Sequence, residues 1–90
     1  MTYEEEIKPY REKIDRLNEE IIEKIANRQT VAIAIGEIKK KYSKPVVDMS
    51  REKAILERIR KKAPAQGLNP DALERVFKEI IQLCTEAEKE

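Results

Sequence analysis

Two cations, Arg28 and Lys39, stand in line with the apolar positions Ile21, Ile25, Ala32 and Ile35 of one long helical segment. They lie eleven residues apart. Eleven residues carry an α-helix through roughly three turns, so both charges project the same way, roughly 16 Å apart along the axis. A small molecule with two anionic groups fits between side chains of that reach. A buried cation without a partner is costly, so this face needs either acidic neighbours or an anionic ligand. Around Arg28 the same helix offers none, since Lys24, Ile25, Val31 and Ala32 occupy the adjacent positions. A carboxylate on another chain stays open as the partner of Arg28. For Lys39 the plain alternative is a side chain that snorkels to solvent. Lys40 and Lys41 read as a solvated face.

The acids fall on inward faces too. Glu52 precedes Ile55, Leu56 and Ile59 by three, four and seven residues. It either complements the positive start of a second helix or accepts a hydrogen bond from a ligand hydroxyl. Asp48 and Arg51 beside it read, taken alone, as an N-cap and an exposed first-turn charge. Glu88 follows Phe77, Ile81 and Cys84 by eleven, seven and four residues. It faces inward if the third helix reaches that far, and otherwise belongs to a frayed acidic tail. Arg11 precedes Arg28 by seventeen residues, roughly 25 Å along the axis and about 100° around it. The two cannot converge within one helix, but an antiparallel second copy brings them together. The alternative is a surface pair with Asp15 at i+4. Cys84 reads as a small core residue rather than a nucleophile, because the chain has no histidine to act as its base. Cations and carboxylates without a nucleophile can restrain a hydroxylated dicarboxylate and stabilise negative charge developing on it.

The elements that position these groups are helices. The 41% charged and 4% aromatic content, with two glycines, is a helical composition, and 90 residues make one small domain. A net charge of +1 gives no bulk attraction to nucleic acid or to a membrane surface, and no apolar run is long enough to span a bilayer. One cysteine excludes an intrachain disulfide framework, and a cytoplasmic location is expected. Ile7, Tyr10, Ile14, Leu17, Ile21 and Ile25 step by three and four, which predicts a first helix over about 5–42. Pro9 fits only near its first turn. Gly36 is unfavourable in a helix by about 1 kcal/mol, and so points to close approach of another backbone or of a ligand. Ser43-Lys44-Pro45 ends the helix. A second helix is expected over about 49–63, capped by Asp48 or Ser50, and a third over about 70–88, with Asn69 as cap and Pro70 in the first turn. The second and third helices are each too short to cover the first. Its apolar stripe must meet another copy of the chain, which predicts an intertwined homodimer.

Four segments carry a family resemblance: Arg11-Glu12-Lys13-Ile14-Asp15, Asn27-Arg28-Gln29, Gly36-Glu37-Ile38-Lys39 and Pro45-Val46-Val47-Asp48-Met49-Ser50-Arg51-Glu52. Together they resemble the all-helical (AroQ-type) chorismate mutases over nearly the whole chain. The resemblance implies a single all-α mutase domain of three helices, assembled as an intertwined dimer with two equivalent sites. It implies the cofactor-free, metal-free Claisen rearrangement of chorismate to prephenate, on the route to phenylalanine and tyrosine. By position, Arg28 and the other protomer's Arg11 clamp the two carboxylates. Lys39 holds a carboxylate and the ether oxygen, Glu52 and the Asp48 region bind the ring hydroxyl, and Arg51 supports the loop. Two positions depart from the common pattern. Glu88 stands where a Gln often contacts the ether oxygen. An ionised Glu88 cannot donate a hydrogen bond there, so it is expected to work protonated, and Lys39 nearby opposes that. Cys84 stands where a Ser is often found beside a carboxylate, which weakens binding modestly.

Two other readings compete. An isochorismate–pyruvate lyase uses the same fold and a similar cationic pocket. A non-catalytic helical interaction module would use the long helix as a coiled coil, but such a seam has no use for Arg28 and Lys39 on its stripe.

Overall fold

The computed structural model describes residues 1–90. It contains three α-helices and no strands: α1 over Tyr3–Lys41, α2 over Met49–Lys62 and α3 over Pro70–Glu88, with a 3-10 turn at Pro64–Gln66 between the last two. The helix α3 packs against both others.

Helix α1 starts two residues before the expected Glu5. Thr2 caps it, its hydroxyl accepting from the Glu5 amide at 3.2 Å, and Glu4, Glu5 and Glu6 complement the helix dipole in the first turn. Pro9 therefore lies at the seventh helical residue, not in the first turn. Its missing N–H leaves the Glu5 carbonyl without its helical donor. Water can take that place, because every residue from Lys8 to Lys24 is exposed.

The other end of α1 shapes the site. The Ser43 amide donates to the Lys40 carbonyl at 3.2 Å and the Lys44 amide to the Lys39 carbonyl at 2.7 Å, while Ser43 adopts φ 55°. This is the paired-bond, left-handed helix stop that usually carries glycine. It turns the chain back beside Lys39, and Pro45 to Val47 then lead into α2. There Asp48, not Ser50, is the cap, its carboxylate accepting from the Arg51 amide at 3.0 Å.

Helix α2 ends one residue before Ala63, which is 1% exposed against the turn that follows. Gly67, at φ 70°, closes that turn. Asn69 then caps α3 by accepting from the Ala72 amide at 3.0 Å. Across the α2–α3 junction, Arg60 donates to Asp71 at 2.7 Å and to Glu74 at 2.8 Å. The hydrogen bond to Asp71, above all, raises the guanidinium's proton affinity.

Little is buried. Ala32, Gly36, Ala63, Ile81 and Cys84 make up the enclosed set, while Ile14, Leu17, Ile21 and Ile22 on α1 stand 44–65% exposed. The molecule measures 62 × 26 × 15 Å with a radius of gyration of 17.2 Å, against about 12 Å for a compact domain of this length. No helix is long and apolar enough to cross a membrane.

Candidate active site

All three helices and the α1–α2 connection contribute to one cleft of about 370 Å³. Helix α1 presents Arg28, Ala32, Ile35 and Lys39 along one wall, as their shared face requires. The start of α2 brings Asp48, Arg51, Glu52 and Ile55, and α3 brings Ile81, Cys84, Thr85 and Glu88. The apolar floor keeps the charged groups apart from bulk water on one side, which strengthens their interactions.

Lys39 is the most constrained of these side chains. Its ammonium donates to the Val46 carbonyl at 2.7 Å and lies 3.6 Å from a Glu88 carboxylate oxygen. With three protons on Nζ, it keeps donor capacity for a ligand. Glu88 sits at the last helical residue of α3, its side chain 10% exposed, so it is not part of a frayed tail. Arg28 is half-buried and makes no ion pair within the chain. Its charge faces the cleft uncompensated, which leaves it available to an anion. Glu52 is half-buried, and Asp48 lines the cleft while also capping α2.

Seven of the residues singled out from the sequence thus meet in one place: Arg28, Lys39, Asp48, Arg51, Glu52, Cys84 and Glu88. Arg11 does not. It is exposed on the far half of α1 and pairs with Glu4 at 3.3 Å rather than with Asp15. Cys84 is 2% exposed and unpaired with any other cysteine, and it packs at the cleft floor as a small core residue. Two contributors escaped the sequence reading. The Val46 carbonyl is a backbone group that no side-chain pattern announces. Thr85 had a signal, because it lies four residues after Ile81 and three before Glu88, on the same face. Thr30 bonds back to the Ala26 carbonyl at 3.2 Å. Thr85 lines the cleft and makes no such bond.

Fold and site together define an all-helical protein with a cleft lined by three cations and three carboxylates. Residues 10–89 match the family chorismate mutase type II, and the chain belongs to that family. A bifunctional chorismate mutase/prephenate dehydratase of Aquifex aeolicus is 40% identical over 94% of this chain and 24% of its own length. The protein of that name in Escherichia coli strain K12 is 34% identical over 91% of the chain and 21% of its own length. The chorismate mutase of Methanocaldococcus jannaschii is 32% identical over 87% of this chain and 79% of that protein. The chain therefore spans about a quarter of the bifunctional relatives and most of the last one.

Proposed function

We propose that this chain catalyses the rearrangement of chorismate to prephenate, on the route to phenylalanine and tyrosine. The observation that carries the reading is the convergence of Arg28, Lys39, Asp48, Arg51, Glu52 and Glu88 on one cleft. Arg28 binds one carboxylate, and Arg11 of a second copy closes on the other. Held between them, the enolpyruvyl side chain lies over the ring in the folded geometry the reaction needs. Restraint of this kind replaces an improbable conformer with a bound one. The ether C–O bond then breaks as the new C–C bond forms, within one molecule and with no added reactant. Negative charge grows on the ether oxygen, where the Lys39 ammonium stabilises it. Glu52 and Asp48 accept from the ring hydroxyl and fix the ring, while Arg51 supports the start of α2 around them.

Product identification by NMR tests the proposal, with chorismate mixed with the purified protein at mildly acidic and at neutral pH. Prephenate formed faster than in buffer alone is the expected outcome. Untouched chorismate at both conditions would falsify the proposal, and salicylate and pyruvate formed from isochorismate would replace it with the lyase reaction.

The site as proposed is complete only in a homodimer. The support is the unpartnered apolar face of α1, with Tyr10, Ile14, Leu17 and Ile21 exposed in the isolated chain. Sedimentation at micromolar concentration is expected to give twice the chain mass of 10.5 kDa.

A further inference from the structure

Gly36 lies in the interior of α1, where glycine is unfavourable relative to alanine. Backbone conformation does not explain it. The positive φ angles of the chain are at Ser43 and Gly67, and Gly36 is ordinary helix. Space does explain it. A Cβ built at Gly36 would stand 3.2 Å from Glu88 Cβ, 3.3 Å from Glu88 Cγ and 3.4 Å from the Glu88 carbonyl oxygen. All three nearest atoms belong to one residue, and that residue is the one paired with Lys39. Gly36 and Lys39 are three apart on one helix, so they occupy neighbouring positions on its surface.

We propose that Gly36 is a positioning residue for Glu88, its missing side chain fixing how close the Glu88 carboxyl comes to Lys39 and to the cleft. A methyl group at position 36 is too close by a few tenths of an ångström, so one side must give. The side that gives is Glu88. It is the last helical residue of α3, with helix on one side only, whereas Gly36 is held by helix on both sides. Gly36→Ala therefore displaces the Glu88 carboxyl and leaves the fold standing. This inference rests on the proposed mutase reaction, in which Glu88 contacts the substrate.

The test is a kinetic double-mutant cycle on the full chain, using Gly36→Ala, Glu88→Ala and the pair, with melting temperatures measured alongside. Gly36→Ala is expected to lower kcat about tenfold, with KM changed less than about threefold, as displaced catalytic geometry does. In the Glu88→Ala background the same substitution is expected to lower kcat less than about twofold, because the displaced group is already gone. Equal losses in both backgrounds overturn the positioning role. So does loss of the cooperative melt in Gly36→Ala alone, which would make the glycine a requirement of the whole fold. A parent chain that leaves chorismate untouched overturns the reaction itself and this role with it, an outcome visible before any variant is made.

Discussion

Lys39 and Glu88 form the charged contact of the cleft, 3.6 Å apart. In the proposed reaction a carboxylate at the ether oxygen repels the charge that develops there and cannot donate to it. Glu88→Gln places an N–H donor at that point, so its rate at neutral pH should exceed the parent's. An unchanged rate removes Glu88 from the reacting centre. Lys39→Ala removes both the donor and the anchor on the Val46 carbonyl, and kcat should fall by about 10²–10³-fold, the cost of losing one preorganised donor. Thr85→Val keeps shape and loses the hydroxyl, so KM should rise about fivefold, the worth of one hydrogen bond, with the melting temperature unchanged. Arg28, Lys39 and Glu88 were legible in the sequence because a charge in register with apolar residues is conspicuous. Thr85 was not singled out, because a threonine on a buried stripe is commonplace and only the absence of its backbone bond sets it apart.

At the scale of elements, the caps and the turn between α1 and α2 decide where the charges arrive. Asp48 serves twice, as cap and as cleft wall, and two substitutions separate the roles. Asparagine caps as well as aspartate, so Asp48→Asn should hold the melting temperature while weakening substrate binding. Asp48→Ala loses the cap as well and should be about 1 kcal/mol less stable, as read by urea unfolding of both variants. Ser43 pays a conformational penalty at φ 55° that glycine would not. Ser43→Gly is expected to raise the unfolding free energy by about 1 kcal/mol, since glycine is the residue this helix stop prefers. Unchanged stability would mean that the unfolded chain gains as much freedom as the folded one gains in ease. The three helices were readable from the three-and-four spacing of their apolar residues, to within two residues at every end. The exact start of α1 was not, because Pro9 drew the expected boundary toward itself while Thr2 and three glutamates sustain two turns ahead of it. The stop at Ser43 was placed correctly in the chain but not in conformation, since the sequence shows no glycine there.

The isolated chain exposes more surface than a compact monomer of its mass. Its 7628 Å² of accessible area exceeds the roughly 5,400 Å² of a compact monomer of this mass by about 2,200 Å². Two chains each hiding that excess would bury about 4,400 Å², within the range of obligate homodimers. The same incompleteness leaves Arg11 outside the cleft, on the half of α1 that touches nothing. Length arithmetic on the sequence anticipated the unpartnered half of α1; a single chain, by its nature, holds no record of what covers it. The proposed sharing of the site between two copies has a direct test. Arg11→Ala and Arg28→Ala chains are each expected to lose at least about 10²-fold in kcat/KM, because each breaks the carboxylate clamp in both sites. Unfolded together in equal amounts and refolded, they assort into homodimers and heterodimers. In a two-fold heterodimer one site receives both intact arginines and the other neither, so activity should recover to about a quarter of the parent's. If Arg11 instead served the cleft of its own chain, every site in the mixture would lack one arginine. Activity would then stay at the level of the separate variants, and the clamp across the interface would be wrong.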